Sequence, residues 1–302
     1  MKFEELAAGS GVPKEIEALA RASFDLDGDD AARLPEMVWF DSSHATHVRL
    51  AARDGDQLVG VLIGSVVGTA GYLDLLAVAA EWRRRGIGSD LIGRWESRAA
   101  QLGATSLSIG ANLSGYAWPG VDIRYTPAIA TFLHVGYARR DVLFNMDVDL
   151  AQVKPPTESE LRGLKEAGVT VRRGAIEDAE ALASHTAREW SEVWARETQV
   201  ALHRSPPLIF LALANDAIIG FAAHGVLRAT LFGPLATVAA WRRIGVGGIL
   251  TRLALVDMAR HGDRFGEIGW VNVDAIPFYS RTASARLGRA FWTMTRKGVE
   301  AH

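Results

Sequence analysis

An internal repeat constrains this chain more than any other feature of its sequence. The segment from Leu76 to Gly88 reads LAVAAEWRRRGIG, and the segment from Leu235 to Gly247 reads LATVAAWRRIGVG. The matching glycines Gly86 and Gly245 lie 159 residues apart in a chain of 302 residues. Solenoid repeats have periods of roughly 20–50 residues, so a period of about half the chain predicts two copies of one domain.

Each copy is expected to be a mixed α/β domain, because apolar runs bounded by Gly, Asp and Asn predict strands in both halves. The predicted strands include His47–Arg53, Leu58–Val67, Tyr72–Val78, Leu208–Ala212, Ala217–Val226 and Thr230–Val238. Helical segments are predicted at Pro13–Ser23, at Glu177–Arg196 and after each glycine loop. The run Lys154-Pro155-Pro156-Thr157 interrupts regular structure. We therefore predict a first domain at 1–150, a linker at 151–168 and a second domain at 169–302.

The composition narrows the classes of function. Lys plus Arg (33) nearly balance Asp plus Glu (35), so the chain lacks the basic excess of a general nucleic-acid binder or a polybasic membrane-binding protein. It contains no cysteine, which excludes disulfides, thiolate metal sites and a cysteine nucleophile. The eight histidines form no recognisable metal set. We expect a cytoplasmic monomer or homodimer with no metal and no nucleic-acid or membrane partner.

The two Arg-x-x-Gly-x-Gly loops, opened by Arg83 and Arg242, lie between a predicted strand and a predicted helix. Glycine adopts positive φ and lets the backbone approach a ligand closely. Amides at a helix N-terminus then stabilise phosphate oxygens. The alternative for a single loop of this kind is a tight turn with solvated arginines, but two copies in matching contexts favour phosphate binding. The Walker loop and the dinucleotide fingerprint do not fit, because the first lacks Gly-Lys-Ser/Thr and the second its third glycine.

The segment from Val78 to Gly88 resembles motif A of the Gcn5-related N-acetyltransferases (GNAT), in which Arg/Gln-x-x-Gly-x-Gly/Ala holds the pyrophosphate of acetyl-CoA. The segment from Gly233 to Gly247 resembles the same motif. The resemblance covers nearly the whole chain as a tandem pair, in an arrangement similar to that of mycothiol synthase. It implies two tandem GNAT domains, each with a mixed, mostly antiparallel sheet flanked by helices, and acetyl-CoA as the acetyl donor.

The resemblance also implies a set of cofactor-binding residues. Strand amides facing the thioester and pantetheine would come from Leu76, Ala77, Val78, Leu235, Ala236 and Thr237. The loops facing the phosphates comprise Arg83, Arg84, Arg85, Gly86, Ile87, Gly88 and Ser89, and Arg242, Arg243, Ile244, Gly245, Val246, Gly247 and Gly248.

In this family an Asn-x-x-Ala-x-x-x-Tyr segment supplies the general acid that protonates the leaving thiolate. The second half has Asn272, Ala275 and Tyr279 at that spacing. The resemblance therefore implies that Tyr279 is the catalytic acid and that Asn272 contacts the cofactor. The segment after Tyr279, Thr282-Ala283-Ser284-Ala285, lacks the glycine that the family usually has there. A phenol of pKa about 10 protonates a thiolate of pKa about 8.5 only uphill, so its position has to compensate.

The first half diverges at the same place. Its equivalent segment has Tyr125 at the Asn position and Phe132 at the Tyr position, and phenylalanine has no proton to give. This half is expected to bind acetyl-CoA without catalysis or to use another acid, Tyr125 or His134. In mycothiol synthase the C-terminal half is the active one, which agrees with this reading of the residues.

The general base stays open. Asp74 precedes the first glycine loop, where some family members place an acid, and the second half has no acid there. Glu189 and Glu192 could lie above the second cleft, although a solvated helix face is the simpler interpretation. We predict transfer of acetyl from acetyl-CoA to a primary amine of a small molecule. The alternative is a degenerate acyl-CoA-binding or structural protein without turnover.

Overall fold

The computed structural model describes residues 1–41, 45–110 and 118–297, which form two compact units. The first unit comprises Met1–Leu143 together with the chain from Phe291 onward, and the second comprises Phe144–Ala290. These limits differ from a division at residue 150 because two long strands, described below, each run from one unit into the other.

The first unit contains α1 (Lys14–Ser23), α2 (Gly28–Val38), α3 (Ile87–Gln101) and α4 (Thr126–His134). Its strands are β1 (Lys2–Glu5), β2 (Thr46–Asp54), β3 (Gln57–Val67), β4 (Ala70–Val78), β5 (Ser106–Ile109) and β6 (Val121–Asp122). The connection into the second unit is β7 (Ala138–Asp149).

The second unit contains α5 (Glu158–Glu166), α6 (Ala179–Glu189), α7 (Glu192–Leu202), α8 (Val246–Arg260) and α9 (Ile276–Ala283). Its strands are β8 (Val169–Arg173), β9 (Ile209–Ala214), β10 (Ala217–His224), β11 (Leu231–Thr237) and β12 (Phe265–Val271). The last strand, β13 (Arg286–Lys297), runs back into the first unit.

The two sheets have the same order and the same directions. In the first unit β1, β2, β3 and β4 pair antiparallel in sequence, and β4 then pairs parallel with β5. In the second unit β8, β9, β10 and β11 pair antiparallel, and β11 pairs parallel with β12. This mixed, mostly antiparallel α/β architecture in two copies is the fold class that the sequence predicted.

Each sheet is completed by a strand that arrives from the other half of the sequence. The end of β13 pairs with β5 in the first unit, where Thr295 faces Ser108. The end of β7 pairs with β12 in the second unit, where Met146 faces Ile268. In the first unit Arg296 holds the arriving strand, because it contacts both carboxylate oxygens of Glu96 on α3, at 2.8 and 2.9 Å.

Helices cover both faces of each sheet. In the first unit α3 packs on one face through Leu91 and Trp95, and α1 and α2 pack on the other. In the second unit α8 packs on one face through Leu250 and Met258, and α6 and α7 pack on the other. In the part of the chain that the structure describes, no helix is both long and apolar enough to span a bilayer.

An ion pair between the first strand and the main helix occurs in both units with its charges exchanged. In the first unit Arg98 on α3 pairs with Glu5, at 3.3 Å and largely exposed. In the second unit Asp257 on α8, 159 positions later, pairs with Arg173. Asp257 is buried and also contacts His224 at 3.1 Å. Burial works against the ionised carboxylate, but the bonds from Arg173 and His224 outweigh it and lower the pKa of Asp257.

This exchange yields a stability prediction. Asp257→Ala leaves the Arg173 guanidinium and the buried His224 without their partner, and we expect a loss of about 3 kcal/mol of unfolding free energy. The matched variant Arg98→Ala removes an exposed pair and is expected to cost no more than about 1 kcal/mol. Urea denaturation followed by circular dichroism measures both values. Equal losses in the two variants would contradict the unequal burial on which this prediction depends.

Candidate active site

The strand before each glycine loop carries a β-bulge at the same place in the repeat. In the first unit Leu75 pairs with Ile63 and Leu73 with Gly64, which leaves Asp74 as the extra residue. In the second unit Leu235 pairs with Ala222 and Phe232 with His224, so Gly233 and Pro234 together face one residue. A bulge bends the strand and increases its twist. The bulged strand therefore turns away from the parallel strand on its other side.

The parallel pairing of each unit stops at this bulge. The last β4–β5 pair is Leu73 with Ile109, and the last β11–β12 pair is Phe232 with Ile268. Beyond these rows β4 and β11 keep only their antiparallel neighbours among the described residues. The strand ends therefore have one open edge, whose amide and carbonyl groups are able to pair with an extended ligand.

The two loops after these strands have the same hydrogen bonds. Arg83 Nε donates to the carbonyl of Val78 at 3.0 Å, and Arg242 Nε donates to that of Thr237 at 2.9 Å. The arginine that opens each loop thus secures the turn through one of its nitrogens. Gly245, with φ +97°, adopts the left-handed conformation directly before α8, as its counterpart does before α3.

The predicted cofactor residues of each unit lie together on the open strand end, the loop and the first turn of the following helix. Their side chains differ in exposure. Four are buried and have only their backbone to offer a ligand, and they are Ala77, Ile87, Ala236 and Val246. The loop cations are exposed, and they are Arg83, Arg84, Arg85, Arg242 and Arg243. Cations and helix N-terminal amides together form a site for anionic oxygen atoms.

Tyr279 lies on α9 against the end of the paired part of β11. Its ring meets that of Phe232 edge-on, with 6.1 Å between centroids, and Phe232 belongs to the last row before the strands separate. Within the described residues its hydroxyl has no hydrogen-bond partner. Burial raises the pKa of Tyr279, so the phenol stays protonated at neutral pH.

Asn272 begins the short 3₁₀ turn before α9. Its side-chain Oδ1 accepts a hydrogen bond from the amide of Ala275 at 3.0 Å, and the residue is exposed. This N-cap hydrogen bond fixes the backbone just before α9, the helix that carries Tyr279.

The first unit has a different arrangement around α4. Phe132 is buried at the position equivalent to Tyr279, and its ring packs against Tyr137. Tyr125, at the position of Asn272, extends its side chain to the junction of α1 and α2. There its hydroxyl accepts from the amide of Leu26 at 3.0 Å and lies 3.2 Å from Asp27 Oδ2.

Further contacts close the space between α1 and β4 in the first unit. Phe24 stacks on Trp118 with 5.4 Å between ring centroids, and Ser23 Oγ donates to the carbonyl of Val78 at 3.4 Å. Asp74 accepts a hydrogen bond from the fully buried Ser65 at 2.9 Å. In the second unit, the described residues of the α6–α7 junction make no hydrogen bond to α9. Among the described residues, hydrogen bonds from the helix junction to the N-cap residue of the later helix therefore occur in the first unit and not in the second.

The other candidate acid–base residues lie at the surface. His134 is exposed at the end of α4, and Glu192 is exposed at the start of α7. Glu189 accepts from Arg188 Nε at 3.0 Å and borders a surface groove of about 470 Å³ beside Val238. These positions agree with the simpler interpretation of a solvated helix face.

Sequence reasoning missed a cluster in the second unit that joins distant segments. Asn145 on β7 donates to Glu267 on β12 at 2.8 Å, and Arg228 donates to the other carboxylate oxygen at 2.7 Å. Asn145 and Glu267 are 122 residues apart, and no motif connects them. The available signal was an acid inside the otherwise apolar strand ending at Val271.

The comparisons with known proteins agree with this geometry. Residues 14–115 match the sequence profile of the acetyltransferase (GNAT) family. No curated protein sequence matches the chain. A tandem GNAT protein from the clavulanic acid biosynthesis pathway has a similar structure, with a TM-score of 0.68 and 18% identity over 98% of both chains. A GCN5-related N-acetyltransferase from Sphaerobacter thermophilus gives 0.68 and 17%, over 100% of this chain and 96% of the other.

A third similar structure is a glucosamine N-acetyltransferase region of a fungal multi-domain GH3 β-N-acetylglucosaminidase. Its TM-score is 0.80 at 17% identity over 98% of this chain, which spans only 38% of the fungal protein. The whole-length matches show that both halves share the GNAT fold. The chain is thus a tandem GNAT-fold protein, and its residues 14–115 match the acetyltransferase (GNAT) family.

Proposed function

We propose that the protein is an acetyl-CoA-dependent N-acetyltransferase that acetylates a primary amine of a small molecule in its second unit. The observation that carries this proposal is the position of Tyr279, a protonated phenol against the last paired row of β11 and β12. The open strand end and the cationic loop beside it fit the amides and phosphates of acetyl-CoA. The first unit has the same strand and loop but Phe132 in place of the acid.

Acetyl transfer in the second unit requires the backbone and side-chain groups that hold acetyl-CoA and a proton donor for the leaving sulfur. The open edge of Leu235–Thr237 holds the pantetheine amides, and the amides before α8, with Arg243, hold the phosphates. The amine nitrogen forms a bond to the acetyl carbonyl carbon and gives up one proton to solvent, and the carbon–sulfur bond breaks. Tyr279 donates its proton to the leaving sulfur and regains one from solvent. Without a cysteine in the chain, no cysteinyl intermediate forms.

The first unit is assigned to acetyl-CoA binding without turnover. Its loop retains Arg83 and Gly86 with the same backbone geometry. Tyr125, Phe24 and Trp118 occupy the space through which an amine would reach the strand edge. This role also accounts for the retention of the glycine loop in a unit that lacks the acid.

Replacement of Tyr279 tests the acid assignment. Tyr279→Phe keeps the ring and removes the proton donor, so we expect kcat to fall about 100-fold or more. Free-thiol release from acetyl-CoA over a panel of amines measures the rate. Glucosamine comes first, because a region of similar fold is described as a glucosamine N-acetyltransferase. Polyamines, aminoglycosides, amino acids and peptides follow.

The control is Tyr125→Phe, which removes a phenolic hydroxyl from the first unit, where Phe132 already stands at the position of Tyr279, and it is expected to keep turnover within about twofold. Wild-type activity in Tyr279→Phe, or an equal loss in Tyr125→Phe, would contradict catalysis by the second unit.

Replacement of the loop glycine tests the acetyl-CoA site. A β-branched residue is strained at the φ of +97° found for Gly245, so Gly245→Val is expected to distort the loop. We expect loss of turnover and of one acetyl-CoA binding site in isothermal titration calorimetry. The matched variant Gly86→Val, at φ +85°, is expected to lose the other site and keep turnover. Unchanged affinity of the second unit in Gly245→Val would show that the loop is not its acetyl-CoA site.

A further inference from the structure

The side chain of Glu267 lies on the face of the second sheet that α6 and α7 also cover. Its neighbours in β12 face the other side, because Ile268 packs in the core with α8 and a Cβ at Gly266 would meet Met258 at 3.1 Å. Successive side chains of a strand point to opposite faces. Glu267 pairs in register with Leu231, one row before the strands separate.

Glu267 is held by two groups from other parts of the unit. Asn145 Nδ2 donates to Oε1 at 2.8 Å, and Arg228 Nη2 donates to Oε2 at 2.7 Å. Each carboxylate oxygen accepts up to two hydrogen bonds, so one position on each stays open beside these bonds. The side chain is 16% exposed, which leaves the carboxylate within reach of a ligand.

Asn145 also fixes the backbone of β12. This fully buried residue accepts from the amide of Trp270 at 3.1 Å through its Oδ1. Trp270 has φ +55°, a conformation that is costly for a bulky aromatic residue and persists only where the surroundings enforce it. Such strain concentrates at functional sites. The buried side-chain amide of Asn145 thus positions both the carboxylate of Glu267 and the strained backbone at Trp270.

Glu267 and Tyr279 lie on opposite faces of the sheet at the point where its two central strands separate. Tyr279 contacts Phe232, whose side chain belongs to the core on the α8 face. Glu267 lies one row earlier on the other face. An extended thioester on the open edge of β11 would have the acid on one side and this carboxylate on the other. An amine that arrives from the α6–α7 face meets Glu267 first.

We infer that Glu267 binds the ammonium group of the acceptor and takes up its proton, and that Asn145 is the positioning residue for this carboxylate. The inference rests on the proposed function and supplies the base that the sequence left open. One proton passes from the ammonium nitrogen to a Glu267 oxygen, and the neutral amine then attacks the acetyl carbon. The nitrogen gives up a second proton to solvent as the carbon–sulfur bond breaks, and Glu267 returns the first proton to solvent after product release, so no other reactant is needed.

Glu267→Gln tests the assignment in the full-length protein. We expect kcat/KM for the amine to fall about 100-fold, with the KM for acetyl-CoA unchanged. The control is Glu189→Gln, a surface carboxylate of the same unit paired with Arg188, which is expected to stay within twofold of wild type. A Glu267→Gln protein with at least half of the wild-type rate would overturn the assignment.

Asn145→Asp provides a second test, which remains informative if Glu267→Gln fails to fold. It keeps the acceptor for the Trp270 amide and replaces the donor to Glu267 by a second carboxylate. The charged groups beside Glu267 are Arg228 and Asp147, its register partner on β7. Repulsion between the two carboxylates displaces that of Glu267, so kcat/KM for the amine is expected to fall about tenfold or more while the KM for acetyl-CoA stays unchanged. A purely structural role of Asn145 would weaken acetyl-CoA binding to a similar extent, and that result would overturn its positioning role.

The same assays distinguish failure of the proposed function from failure of the Glu267 assignment. A wild-type protein that binds acetyl-CoA in calorimetry but acetylates no amine would overturn the proposed function, and the Glu267 assignment with it. Wild-type turnover together with unaffected Glu267→Gln would overturn only the assignment of Glu267.

Discussion

The bulge in the central strand of each unit is the constraint on which the site depends. At Asp74 in one copy and at Gly233 and Pro234 in the other, the strand has more residues than its antiparallel neighbour can pair. The strand therefore bends, and its parallel neighbour follows it only as far as the bulge. An ordinary sheet would satisfy the backbone groups beyond that row internally. Here one edge stays available, and the glycine loop lies at its end.

The two copies preserve this framework while their side chains have diverged. Arg83 and Arg242 each donate through Nε to the carbonyl of the last residue of the preceding strand, at 3.0 and 2.9 Å. The ion pair between first strand and main helix occurs in both units with exchanged charges. The two clefts differ, because Phe24, Trp118 and Tyr125 form an aromatic cluster in the first unit, and Tyr279 on α9 has a hydroxyl where the first unit has Phe132. Divergence has thus affected the clefts more than the scaffold.

Much of the fold was predictable because its signals are local. The predicted strand Tyr72–Val78 and the glycine loop after it lie where the structure has them, because an apolar run and a left-handed glycine act within a few residues. Helix α2 escaped prediction because it begins at Gly28 and contains Pro35, both poor helix formers, and is stabilised by packing of Leu34 and Val38.

Nonlocal features could not be read from the chain. The predicted segment Glu177–Arg196 is two helices, because Ser191 caps a new one by accepting from the amide of Trp194. The passage of β7 from one unit into the other leaves no break in its sequence pattern. The cluster of Asn145 and Glu267 depends on that passage, because β7 brings the asparagine beside β12. The candidate acid Tyr279 was recognisable in the sequence through its spacing from Asn272. The candidate base Glu267 was recognisable only once the structure had shown its neighbours.

The central claim is that the open strand edge of the second unit holds a thioester between Tyr279 and the face that carries Glu267. The most direct test is a crystal structure of the full chain with CoA. The account predicts CoA along the edge of Leu235–Thr237, with its sulfur within hydrogen-bond distance, about 3.5 Å, of the Tyr279 hydroxyl. A structure with CoA in the first unit alone, or with its sulfur remote from Tyr279, would contradict the account.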